Sequence, residues 1–147
     1  MLSEVFNPGR IKLDLESTTK TDVFGELIET IVIPNSEFDR QKLLEAVTLR
    51  ESKMNTLILP GVAVPHGYCA AVQGIIGAIG FSRAGIEYDS VDRNPVHLFF
   101  MLLMDEKSRE QHLQVLGGLL ELLNSAAFAG IQEAETPQQV YDLLRHF

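Results

Sequence analysis

Four histidines and one cysteine are the residues of this chain best suited to nucleophilic chemistry. His66 stands in the run Val62-Ala63-Val64-Pro65-His66-Gly67. Val62 to Val64, small or β-branched, read as the end of a buried strand. Pro65 has no N–H for a ladder and holds Val64 extended. Gly67 gives the backbone room for a sharp turn. The segment thus carries an imidazole to the mouth of a loop, and reactive side chains gather at strand ends of α/β sheets. The plainer alternative is a turn that happens to hold a surface histidine. An ordinary imidazole has a pKa of about 6.5, so its neutral, nucleophilic form is available near pH 7.

The other candidates divide by position. His97 lies inside the most hydrophobic stretch of the chain and reads as a satisfied core or edge histidine. His146 is next to the last residue, where chains are usually mobile. His112 opens a leucine-rich helix, one place before Leu113, and is placed by that pattern just off the core face. Free N–H groups and the dipole at a helix start attract anions, so His112 either joins an anion site or faces solvent. Cys69 follows His66 by three residues, but no pattern supplies the third, orienting group that a Cys–His nucleophile needs. No metal-ligand spacing and no glycine-rich nucleotide cradle is present. Neither a metal nor a nucleotide cofactor is expected, and any phosphate handled here is expected to come from a donor other than ATP.

The elements that must position His66 and His112 alternate between strand and helix patterns. Residues 1–9 read as a loose lead-in with a turn at Asn7-Pro8-Gly9. Ile11, Leu13 and Leu15 alternate as in a half-buried strand. Caps between Ser17 and Asp22 precede a helix with Val23, Phe24, Leu27, Ile28 and Ile31 on one face. Ser36 or Asp39 caps a second helix, striped by Phe38, Leu43, Leu44 and Val47, that runs toward Arg50-Glu51. Residues 52–61 read as a connector, and residues 74–81 as a buried strand. Residues 82–95 are polar and rich in turn formers. Residues 96–104 read as a central strand buried on both faces. Leu113, Leu116, Leu119, Leu120 and Leu123 predict a helix, Ser125 to Ile131 a short helical turn, and Thr136-Pro137 opens a last helix bearing Val140, Leu143 and Leu144. The pattern predicts an α/β fold: a single domain over residues 1–147, a layered sandwich with a mixed sheet flanked by helices on both faces.

Composition narrows the function. The chain is 46% hydrophobic and 22% charged, an ordinary globular balance. A net charge of −8 argues against general binding to nucleic acid or anionic membranes and is compatible with a basic protein partner. One cysteine permits no intrachain disulfide. The start MLSEVFNPGR lacks the pattern of a signal peptide, and no apolar run approaches the roughly 20 residues that span a bilayer. A cytoplasmic location without direct membrane insertion is expected.

Arg50-Glu51, Thr56, and Gly61-Val62-Ala63-Val64-Pro65-His66-Gly67 resemble the signature of the fructose/mannitol-type enzyme IIA domains of the bacterial phosphotransferase system, a family that includes the nitrogen-regulatory enzyme IIA proteins. Gly85-Ile86-Glu87-Tyr88, Val91-Asp92, Pro95-Val96, the strand from Phe99 to Leu103, His112-Leu113, and Thr136-Pro137 with Val140 to Leu144 continue the resemblance in order. It covers nearly the whole chain. A fragment such as Pro-His-Gly is common, whereas the ordered set is specific.

The resemblance implies a phosphocarrier. His66 would accept a phosphoryl group from the phosphohistidine of an HPr-like carrier protein and pass it to an enzyme IIB domain for sugar uptake. Arg50 would hold phosphate oxygens with its planar fork. His112 would donate a hydrogen bond to the phosphoryl group, and Thr56 would add a hydroxyl. The sequence departs from the family where Leu57, Leu59 and Pro60 replace flexible or polar residues ahead of Gly61. It departs again where Tyr68 stands in place of a basic or small residue. Two alternatives stay open: a nitrogen-branch-type regulator that binds its target according to the state of His66, or a binding module that keeps the fold without transfer.

Overall fold

In the computed structural model, which describes residues 1–147, every element is arranged around one strand, Val96–Met104 (β6). Its residues are buried along nearly their full length. Leu98, Phe100, Leu102 and Met104 face one core, while Phe99, Met101 and Leu103 face another; Val96, beyond the register shift against β5, joins the second out of phase. The two-residue period of a strand divides a continuous apolar run between two cores in this way. The remaining strands are Ile11–Lys12 (β1), Leu57–Leu59 (β2), Val62–Ala63 (β3), His66–Tyr68 (β4) and Ile75–Ile86 (β5). The six-stranded sheet runs β1-β5-β6-β3-β2, and β4 also pairs with β6. β5 is antiparallel to β6, whereas β3 and β4 are parallel to it, so the sheet is mixed.

Helices cover both faces. Lys20–Val32 (α2) and Arg40–Lys53 (α3) bury Val23, Phe24, Leu27, Ile28, Ile31, Leu43 and Val47 in one core. Arg109–Leu123 (α4), Ala127–Glu133 (α5) and Pro137–Leu144 (α6) lie over the other, with Leu2–Val5 (α1) beside them. Local sequence sets the ends. The Thr19 hydroxyl accepts the Asp22 N–H at 3.2 Å. The Asp39 carboxylate accepts those of Gln41 and Lys42. Thr136 and Gln139 form a reciprocal capping box at the Pro137 start of α6. The α/β sandwich expected from the sequence is therefore the fold found. No single helix is long and apolar enough to cross a membrane.

Several local expectations need correction. Residues 1–9 are no loose lead-in: Leu2, Val5 and Phe6 are buried, and the Leu2 N–H bonds the Phe147 carbonyl at 3.0 Å. The first strand is only Ile11–Lys12, and residues 52–61 include the strand β2. β5 continues past Phe81 to Ile86, through a register shift against β6. Gly85 turns the chain there with φ 83°. In α4 the buried residues are His112, Val115, Leu119, Leu122 and Leu123, while Leu113 is 69% exposed. The helix is rotated relative to the stripe its leucines suggest, and that rotation brings His112 inward.

Candidate functional site

The segment around His66 is a strand interrupted and resumed. β3 pairs with β6 through Val62 and Ala63. Pro65 donates nothing, but its carbonyl accepts the Leu102 N–H at 2.9 Å. Pairing then resumes with His66 opposite Leu102 and Gly67 opposite Leu103. His66 thus begins a strand rather than standing in a loop at the end of one.

Gly67 does not take a positive φ. Its role is close approach: a Cβ there would lie 2.6 Å from the carbonyl carbon of Ala46 and 2.8 Å from the Val47 nitrogen, both in the backbone of α3. Because neighbouring strand residues point to opposite faces, Gly67 facing α3 turns His66 toward α4.

That orientation brings two imidazoles together. The rings of His66 and His112 have centroids 4.9 Å apart at 51°. His66 is half-buried, and its Nδ1 lies 2.9 Å from the Val64 carbonyl oxygen. A carbonyl can only accept, so Nδ1 carries the proton and Nε2 keeps its lone pair. His112 is 7% exposed and its Nε2 has no hydrogen-bond partner. A buried polar atom without a partner costs stability and points to a role outside the resting fold.

The electrostatics keep both rings neutral. Burial lowers the His66 pKa below the ordinary 6.5, and the Arg50 charge lowers it further, against the Val64 hydrogen bond and the Glu51 charge. Burial, then the charges of His66 and Arg50, push His112 down to about 4. At pH 7 His66 therefore carries an unprotonated Nε2.

Arg50 lies in the last turn of α3 and spends one N–H, on Nη1, at the Met54 carbonyl, 2.8 Å away. The rest of its five-donor fork makes no other hydrogen bond. Thr56 is placed differently from expectation: its hydroxyl donates to Glu51 at 2.7 Å and its N–H to the same carboxylate at 3.1 Å. The Thr56 proton is thus committed inside the fold. Tyr68 is 37% exposed, stands edge-on to His112 at 6.3 Å, and has the Arg109 guanidinium 5.3 Å from its ring centre.

His97 donates from Nδ1 to the Ser82 carbonyl at 2.7 Å, the satisfied histidine expected. His146 is exposed, and Cys69 is a half-buried free thiol. Glu51 and Tyr88 were part of the resemblance but not of the candidate site, and Lys20 was in neither. The signal for Glu51 was legible: Leu43, Val47 and Glu51 are spaced by four, so a carboxylate continues a buried stripe.

Sheet and paired imidazoles place the chain in a class of small α/β domains that offer a neutral histidine at the start of a strand, with no nucleotide cradle beside it. More particularly, the chain belongs to the family described as "Phosphoenolpyruvate-dependent sugar phosphotransferase system, EIIA 2", whose pattern matches residues 4–147. It is 33% identical to the PTS system fructose-specific EIIABC component of Bacillus subtilis over 97% of this chain but 23% of that longer protein. It is 32% identical to the PTS system fructose-specific EIIA component of Haloferax volcanii, covering 91% of this chain and 88% of that one. The nitrogen regulatory protein IIA-Ntr of Neisseria meningitidis superposes with a TM-score of 0.87 at 28% identity, covering 97% and 98% of the two chains. A complex of enzyme IIAMTL with phosphorylated enzyme IIBMTL from Escherichia coli shares the fold at a TM-score of 0.79 and 18% identity, covering 97% of this chain and 98% of that one.

Proposed function

We propose that this domain carries a phosphoryl group on Nε2 of His66, taking it from the phosphohistidine of an HPr-like protein and giving it to an enzyme IIB domain for sugar uptake. The observation that carries this reading is the Nδ1–Val64 hydrogen bond, which leaves a neutral Nε2 lone pair beside the unpartnered His112. In the step, that lone pair attacks the donor phosphorus in line. The donor N–P bond breaks, and its electron pair returns to the donor imidazole. The phosphorylated His66 ring keeps its Nδ1 proton and takes the imidazolium charge, while Val64 holds that proton. His112, as the Nε2–H tautomer, donates to a phosphoryl oxygen and so satisfies its buried nitrogen. Arg50 supplies the free edges of its fork to the other oxygens.

Relatives support the IIB partner. The fructose-specific component of Bacillus subtilis is named EIIABC. The mannitol IIA domain that shares this fold was solved with phosphorylated IIB. A regulatory role is the second reading, favoured by the nitrogen regulatory protein of Pseudomonas aeruginosa, 28% identical over 97% of this chain and 94% of that protein. The test is incubation with enzyme I, HPr and phosphoenolpyruvate, followed by IIB domains. Labelling of His66 with transfer to IIB supports the carrier. Labelling without transfer to any IIB domain supports the regulator, and no labelling overturns both.

A further inference from the structure

We infer that Glu51 is a positioning residue for His66, acting through Thr56 and the Val64 backbone to hold the imidazole with Nε2 free. The inference rests on the phosphoryl-carrier reading only for its kinetic consequence.

The chain of contacts is continuous. Glu51 is 7% exposed, and its carboxylate takes three donors: Lys20 Nζ at 2.9 Å, the Thr56 N–H at 3.1 Å and the Thr56 hydroxyl at 2.7 Å. Lys20 also sits 4.0 Å above the centre of the Tyr88 ring. Because the Thr56 hydroxyl gives its proton to Glu51, the Tyr88 hydroxyl, 3.3 Å away, donates to Thr56. Fixed by these bonds, Thr56 offers its carbonyl to the Val64 N–H at 2.8 Å. The Val64 carbonyl in turn accepts His66 Nδ1–H at 2.9 Å. The backbone links have fixed donor and acceptor roles, so the carboxylate acts on the tautomer by position: it holds Thr56, and through it Val64, where the Val64 carbonyl selects the Nδ1–H form of His66. Local packing supports this role, since α3 carries Glu51 and touches β4 at Gly67 through its backbone.

An amide at position 51 has one acceptor oxygen for three donors and adds two donors of its own. It must release either Thr56 or Lys20. Glu51→Gln is therefore expected to lower the fraction of neutral His66 protonated at Nδ1, read from ¹⁵N shifts of the two ring nitrogens in the unphosphorylated protein. It should also slow phosphoryl acceptance about tenfold or more, the scale of losses when a reacting group is misplaced.

Its pH profile should move as well. His66 faces the charges of Arg50 and Glu51 on α3 and the ring of His112 on α4, and Glu51 alone of these raises its pKa. The acid limb of the rate profile should shift to lower pH in Glu51→Gln, which a loss of folded protein would not produce. The double variant Lys20→Met/Glu51→Gln removes the buried pair without leaving an unpaired charge and guards against a folding failure. The tautomer readout needs no phosphodonor and stands even if the carrier reading fails. A folded single or double variant that keeps the parent tautomer fraction and parent acid limb overturns the inference.

Discussion

At the scale of the residue, the proposed chemistry turns on what His66 and His112 lack at rest. One has a free lone pair and the other a buried nitrogen without a partner. A hydrogen bond to a charged group contributes about 1.5–3 kcal/mol. Folded His112→Ala should therefore accept phosphate about ten- to a hundredfold more slowly, and Arg50→Lys should slow acceptance because a point charge cannot replace a fork. The double variant His112→Ala/Arg50→Ala should lose less than the sum of its parts, since both residues act on one group. A rate series with circular dichroism checks this. His112 also predicts an acid sensitivity. Its pKa lies near 4 in the fold and about 6.5 when unfolded, so the unfolded chain binds the extra proton between those values. Stability is fully kept above pH 6.5 and falls as pH drops toward 4. In urea titrations across that window, His112→Gln should flatten the slope. His66 was legible because the breakers Pro65 and Gly67 mark it in the chain, whereas Arg50 entered only through the resemblance of Arg50-Glu51 to the family signature. The inward turn of His112 was not, because leucines at positions 113, 116 and 120 suggested a face that the tertiary packing does not bury.

At the scale of the element, the site depends on how closely β4 lies against α3. Gly67→Ala places a carbon within 2.6–2.8 Å of backbone atoms in α3 that cannot swing away. The strand and the helix that carries Arg50 and Glu51 must separate, and overpacking of this kind costs about 1–3 kcal/mol. The expected result is a lower urea midpoint with slower phosphorylation; an unchanged midpoint and rate would show that the approach is looser than described. Phe6→Ala should be destabilising by about 3–5 kcal/mol, because Phe6 is fully buried against Phe100 with ring centres 5.9 Å apart. Its rate of phosphoryl acceptance at temperatures where it stays folded should match the parent. The central strand, the flanking helices and their caps were readable, since a long apolar run and capping residues are local signals. The α1 turn was not, being too short to show a period. The β5 extension was hidden because it depends on Gly85 bending under Pro95, a contact that lies ten residues apart in sequence.

At the scale of the whole molecule, the net charge of −8 favours a basic partner, and phosphorylation puts a group of about two negative charges on a ring that becomes positive, so the protein grows more acidic still. The rate of phosphorylation by the carrier should therefore fall as ionic strength rises. The measurement that tests the central claim most directly is site mapping of the phosphorylated protein. The chain is incubated with phosphoenolpyruvate, enzyme I and HPr, then examined by ³¹P and ¹⁵N spectroscopy with peptide mapping at alkaline pH. One phosphoryl group on Nε2 of His66, absent in His66→Ala and not formed from ATP alone, is the predicted result. Phosphate on Nδ1 of His66, on another residue, or persisting in His66→Ala would contradict it.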